Sequence, residues 1–298
     1  MGLLAAKVQW IRASAIKDLS NLVFYVLTPA LLFRTMSAVD LASLDFSPIV
    51  LYFAAAAVVF AGTMLAYGYT TLAAARALGH TFSNNVMIGI PLVGLVFGQE
   101  GLVTLLTLIS IHALVLLGSA TMVFELAQAR QAHHQGNTRS VWRTLGQAVK
   151  NSVLHPVPLP IIAGLLFAQT GWSIPAVVDK PMQLLGQALG PVALVLVGVT
   201  LAYSQLGSMV RQATRLALVK ILVHPLIFAA IAWLFNLQGV PMATMALASA
   251  LPVGANVYMF TQRYGVAQEE VTASIAISTM LSLLTLPFIL WMLQRTLA

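Results

Sequence analysis

Ala248-Ser249-Ala250-Leu251-Pro252-Val253-Gly254-Ala255-Asn256 lies in the longest run of this chain without an acid, lysine or arginine, residues 221–262. A similar stretch in the first half reads Ser83-Asn84-Asn85-Val86-Met87-Ile88-Gly89-Ile90-Pro91-Leu92-Val93-Gly94. Each sets a proline among small and amide residues inside an apolar segment. Proline has no N–H and its ring clashes with the preceding turn, so helices are expected to break or kink at Pro91 and Pro252. In hydrocarbon, the backbone groups freed by a break must find partners in protein or in a water-filled cavity.

The surrounding composition makes hydrocarbon the expected solvent. Of 298 residues, 59% are hydrophobic and 8% charged, with a mean hydropathy of +0.91. Soluble domains carry roughly a quarter charged residues. Runs without Asp, Glu, Lys or Arg cover 46–75, 77–99, 101–124, 151–178, 181–210, 221–262 and 271–294. Each suffices for at least one helix of about 20 residues crossing about 30 Å of hydrocarbon. The absence of cysteine excludes disulfides, thiolate metal sites and a thiol nucleophile. The net charge of +7 does not point to nucleic acid, because the basic residues sit in short loops where membrane orientation explains them.

The apolar pattern predicts helices over 17–38, 48–74, 80–98, 101–126, 152–170, 181–204, 213–236, 241–260 and 268–294. Placing the basic connector 127–150 in the cytoplasm puts Arg130, Arg139, Arg143 and Lys150 inside. Alternation then brings Lys7, Arg12, Lys17, Arg76, Arg211, Arg215 and Arg263 to the same side. Only Lys180 and Arg295 fall outside, while Arg34 and Lys220 lie within helices, which is a positive-inside distribution. The connector separates a first repeat, 1–126, from a second, 151–298. Five helices per half, an odd number, give the repeats inverted topology. The first half then lacks most of its first helix, because only Gly2-Leu3-Leu4-Ala5-Ala6 precedes Lys7. A late start or a truncation accounts for that, with about 15–20 further apolar residues expected upstream. A pair of broken helices in matching positions of two halves marks the binding site of a secondary transporter.

Four stretches carry a family resemblance. Asn84-x5-Ile90-Pro91-x5-Phe97-Gly98 resembles the fourth helix of the auxin efflux carrier family, which includes plant auxin exporters and bacterial carriers of malonate and malate. Leu22-Val23-Phe24-Tyr25…Pro29-Ala30-Leu31-Leu32-Phe33, Lys220-Ile221-Leu222-Val223-His224-Pro225 and Leu251-Pro252-x3-Asn256…Gln262-Arg263-Tyr264-Gly265 are also similar to it. The resemblance spans 17–294. It implies an all-α polytopic fold of ten helices in two inverted five-helix repeats. The fourth and ninth helices cross at their prolines, as in sodium–bile-acid symporters and sodium–proton antiporters. It further implies a scaffold and a crossover domain that move against each other, and homodimers are common for this architecture. Lys7-Val8-Gln9-Trp10-Ile11-Arg12 is similar to the loop that follows the family's first helix.

The resemblance places substrate-contacting amides at Asn84 and Asn256, with Asn85 beside them. An uncharged Asn offers two donors and an acceptor, so it can hold a carboxylate without a permanent buried charge. These asparagines could instead only satisfy backbone freed by proline. Gly89 and Gly254 adjoin the breaks and are candidates for shaping the cavity, and Pro91 and Pro252 for the crossover itself. Lys220 and His224 share one helix face. Lys220 fits either a snorkelling lysine or a coupling, anion-attracting group. His112, central in its segment, fits a hydrogen bond to a neighbouring helix or a proton relay. All eight acids map to loops or helix ends. That disfavours a carboxylate-based cation antiporter and Mg²⁺-dependent enzymes, and no H-E-x-x-H or G-x-S-x-G motif is present.

The expected function is therefore secondary transport of small organic anions, with no cofactor and no metal, in a bacterial inner membrane. H⁺ and Na⁺ both remain open as coupling ion. A bile-acid-type sodium symporter is the first alternative. An integral-membrane enzyme acting on a lipid-linked anion is the remote one. The charge distribution makes a direct prediction: a topology reporter fused at Ala298 reads non-cytoplasmic and one inserted near Gln135 reads cytoplasmic. The reverse at both sites would overturn the orientation.

Overall fold

The computed structural model of the chain describes residues 1–38, 45–133, 158–203 and 209–297. The connector with Arg139, Arg143 and Lys150, and the loop residue Asp40, lie outside these residues. The described residues form helices and no β-strand, with a single isolated bridge pairing Ser83 with Val253. Six helices among them are long and apolar enough to cross a membrane. They are Ala15–Met36, Ser47–Tyr67, Asn85–Phe124, Ala176–Thr200, Val210–Leu234 and Gln268–Arg295. The chain is an integral membrane protein by these spans.

Most expected helices recur within a few residues, and the stretch 67–85 is redrawn. The segment read as 48–74 ends at Tyr67. Gly68, with φ +75°, closes it, and a new helix, Thr71–Thr81, begins. Thr70 caps that start, its side chain accepting from the Ala73 N–H at 3.1 Å, which satisfies one of the orphan donors of the first turn. Arg76, expected in a loop, therefore sits on a helix. The seam expected near residue 98 is present: Gly98 is non-helical inside Ile90–His133, at φ 59° and ψ −145°.

Three π-helical turns, Val23–Leu27, Asn85–Gly89 and Val219–Val223, each end two residues before a proline: Pro29, Pro91 and Pro225. A proline leaves one carbonyl of the preceding turn without its i+4 donor and crowds it. Widening that turn to i+5 bonding accommodates both effects. This corrects the expectation that the helix breaks at Pro91. The helical run begins at Asn85 and absorbs Pro91 in the turn that follows, and the interruption lies earlier, at 82–84.

The chain divides into two compact units, each drawn from both sequence halves. The first comprises Met1–Phe46, Asn85–Ile111 and Val153–Ser204. Its spine is the Ala176–Tyr203 helix, against which Gly2–Lys7, Thr28–Met36 and the Asn85–Gly89 turn pack. Close approach explains the glycines there. A Cβ on Gly186 would stand 3.1 Å from Leu31 Cδ1, and one on Gly198 2.8 Å from the Leu3 nitrogen. Tyr203 ties the N-terminal segment down by donating to Ala6 O and lying 3.0 Å from Ile11 O.

The second unit comprises Ser47–Asn84, His112–Ser152 and Gln205–Ala298. Its core gathers Leu78, Phe82, Phe124, Leu216, Val253 and Phe260. Arg76 on the short Thr71–Thr81 helix forks onto Glu270 at 2.9 and 3.0 Å, and Glu270 is 3% exposed. Removing one partner of a buried pair typically costs about 3–5 kcal/mol, whereas exposed pairs contribute about 0–1 kcal/mol. Glu270→Gln should therefore lower the melting temperature of purified protein clearly more than Asp179→Asn. Asp179 makes the comparable fork with Arg34 in the first unit, where both side chains are about one-third exposed. Equal shifts for the two variants would refute this ranking.

Candidate functional site

Two helices of the second unit stop short. Thr71–Thr81 has 11 residues and Gly239–Ala250 has 12, each about half a membrane span. The chain then runs extended through 82–84 and 251–254, and these two stretches meet. Asn84 N–H donates to Pro252 O at 2.9 Å, and Gly254 N–H donates to Phe82 O at 2.9 Å. The pair of bonds closes the antiparallel bridge around Ser83 and Val253.

Side chains take up further backbone groups of the second break. Pro252 has no N–H to lose. Val253 N–H donates to Ser278 Oγ at 3.1 Å. The carbonyls of Ser249 and Leu251, left without helical partners, receive Lys220 Nζ at 2.6 and 2.7 Å. Lys220 is completely buried, so the snorkelling reading is overturned: its ammonium turns inward onto the broken helix end instead of outward to water. A cation there also meets the negative end of the Gly239–Ala250 dipole.

Close approach at the crossing depends on Gly254. A Cβ at that position would lie 2.8 Å from Phe82 Cδ1 and 2.9 Å from Ser83 O, and the second of these is backbone that cannot swing away. Next to the bridge residue Ser83, Tyr52 joins a buried polar group. Its hydroxyl lies 2.9 Å from Ser83 Oγ and 3.2 Å from His112 Nε2. His112 also meets the Phe82 ring edge-on at 4.5 Å, and the His224 ring stands 5.3 Å from that of Tyr52. Neither ring nitrogen of the fully buried His224 has a hydrogen-bond partner.

The asparagines fall into place individually. Asn84 ends the first extended stretch, and Asn256 is the second residue of the half-helix Ala255–Tyr264; both are half-buried. In the first turn of that half-helix Val257 N–H donates back to Gly254 O at 3.1 Å, and the helix end as a whole carries a partial positive charge of about +0.5. Asn85, Gly89 and Pro91 belong to the first unit. Asn85 opens its π turn with a buried amide whose oxygen and nitrogen are both unpartnered. Pro91 lines an open cavity of about 360 Å³ together with Arg34, Gln183, Gln187 and Pro191. Among the described residues no three His, Asp or Glu side chains gather as metal ligands.

Tyr52, Ser83, Ser249 and Ser278 were not singled out by the sequence. Ser278 had a faint signal: Ser274, Ser278 and Ser282 recur every four residues and line one buried helix face. Tyr52 had none, being one aromatic residue in an apolar helix.

Spans, half-helices and a crossing held by backbone bonds define a membrane transporter architecture. A family model described as "Membrane transport protein" matches residues 1–290. The chain belongs to that family, the auxin efflux carriers, and is a membrane transporter, not an enzyme. It is similar to a Rhizobium meliloti protein named "Putative malonate transporter", 25% identical over 301 residues, covering 99% of this chain and 92% of the relative. Auxin efflux carrier component 8 of Arabidopsis thaliana is 21% identical over 243 residues, covering 68% and 66%. An uncharacterized transporter of Methanothermobacter thermautotrophicus is 24% identical over 281 residues, covering 92% and 87%.

The geometry at Gly254 yields a sharp contrast. Gly254→Ala forces backbone to move at the crossing and should destabilise the protein by about 1–3 kcal/mol. Gly62→Ala, on a helix where an added Cβ meets nothing within 4 Å, should be neutral or stabilising by up to about 1 kcal/mol. Thermal melting of both variants in one detergent checks it, and a Gly254→Ala protein as stable as wild type would refute it.

Proposed function

We propose that this protein is a secondary carrier of small organic anions, mono- or dicarboxylates, that works by alternating access. The anion sits at the crossing of the two interrupted segments. One observation carries the reading: a helix N-terminus, Ala255–Tyr264, opens directly at the crossing, with Asn256 in its first turn and Asn84 on the other strand of the bridge. The N–H groups supply positive potential without a permanent charge, and the amides supply oriented donors. Such a site binds a carboxylate and still releases it, because no ion pair must be broken.

The similarity to a protein named for malonate supports a small dicarboxylate, and the similarity to a protein named for auxin supports a monocarboxylate. We place the carrier in a bacterial inner membrane, with the 127–150 connector cytoplasmic and the halves 1–126 and 151–298 related as inverted repeats. The basic connector and the matched breaks support this placement. Within the first unit, Asn85 and Gly89 stay candidates for contacting the substrate and Pro91 for the crossover, as the family resemblance implies, and His112 and His224 are the groups available to couple transport to protons.

The experiment begins with a thermal-shift screen of purified protein against carboxylates, malonate included, to find a bound anion. Asn84→Ala and Asn256→Ala should each weaken that anion's equilibrium binding by about 1–3 kcal/mol, roughly 5- to 150-fold, with smaller changes in melting temperature. Asn84→Asp should weaken it further, since a carboxylate repels the anion across a poorly screened gap. Unchanged affinity in both alanine variants would show that the anion binds elsewhere.

A further inference from the structure

We infer that Lys220 is a built-in cation, its ammonium occupying the place that a coupling Na⁺ takes in carriers with unwound helices. In such carriers the carbonyls at a broken helix end coordinate sodium. Here two carbonyls at the end of Gly239–Ala250, those of Ser249 and Leu251, converge on Lys220 Nζ at 2.6 and 2.7 Å. Those distances are at or below the range for charge-assisted N⁺–H···O bonds. Lys220 is fully buried, so water does not share in satisfying it.

The surroundings resemble an ion's more than an ion pair's. The ion pair described in this unit is Arg76–Glu270, and Lys220 meets backbone oxygens. Backbone dipoles and the negative end of a helix offset its charge, the same terms that offset a bound Na⁺. The acceptors are available because the break freed them. Val253 N–H, which would return to Ser249 O in a continuous helix, goes to Ser278 Oγ. A tethered cation makes the occupied state permanent. The site needs no dissolved sodium, and transport at the crossing proceeds without it. This last consequence rests on the carrier reading above; the cation site does not.

The test uses Na⁺ alone, without substrate. Melting temperatures of purified protein are followed as choline chloride is replaced by NaCl at constant ionic strength. The wild type should not respond. Lys220→Ala opens the carbonyl site, so it should melt lower in choline chloride and recover by a few degrees, saturably, as Na⁺ is added. Lys220→Gln fills the space and can donate to the carbonyls, so it should stay blind to Na⁺. A saturable Na⁺ response in the wild type overturns the inference. So does a folded Lys220→Ala protein with no Na⁺ response. If Lys220→Ala does not fold in either salt, the wild-type titration decides alone: flat supports, saturable refutes. Because no anion is present, this result stands or falls apart from the asparagine variants.

Discussion

Two backbone hydrogen bonds, Asn84 N–H to Pro252 O and Gly254 N–H to Phe82 O, are the constraint on which the rest depends. A helix that stops in hydrocarbon leaves donors and acceptors whose burial costs several kcal/mol each. One such stop would be a defect. Two that meet can pair their extended stretches and satisfy each other. The bridge at Ser83 and Val253 is therefore what allows Thr71–Thr81 and Gly239–Ala250 to end halfway. Gly254 follows from the same constraint, since the bridge leaves no room for its Cβ. Groups the bridge does not reach are taken up by side chains. Ser278 accepts from Val253, and Lys220 donates to Ser249 and Leu251.

This arrangement connects stability to function. The groups that stabilise the broken ends, Lys220, Ser278 and the Tyr52–Ser83–His112 set, are buried and committed to backbone or to one another. The helix N-terminus at Ala255 is exposed, and its adjoining amide Asn256 is half-buried. In the carrier we propose, the buried set keeps the junction rigid, and the helix end with its amide meets the anion.

Much of this was legible in the sequence, for identifiable reasons. The paired prolines, the flanking asparagines and the scarcity of charge mark the broken segments, because few soluble or ordinary membrane helices tolerate them. The seam near Gly98 was readable because Glu100 separates two apolar runs. The first break was misplaced because Pro91 was read as the interruption, when a π turn beginning at Asn85 absorbs it. The cue lay upstream, in Gly68 and the capping Thr70. The sequence left Lys220 between two readings for a different reason. A lysine near the end of an apolar helix ordinarily reaches water, and only the position of the second break, brought next to it by folding, shows a better partner. The division into two interleaved units also depends on long-range packing, which local pattern does not encode.

The central claim, that a small anion sits against the helix end at the crossing, is open to one direct measurement because the chain has no native cysteine. Ala255→Cys places a single thiol at the exposed first residue of the half-helix. The rate of its alkylation is measured with and without a carboxylate that demonstrably stabilises the same variant. Protection that tracks the anion's binding curve is the result this account predicts. An alkylation rate indifferent to a saturating, bound anion would contradict it.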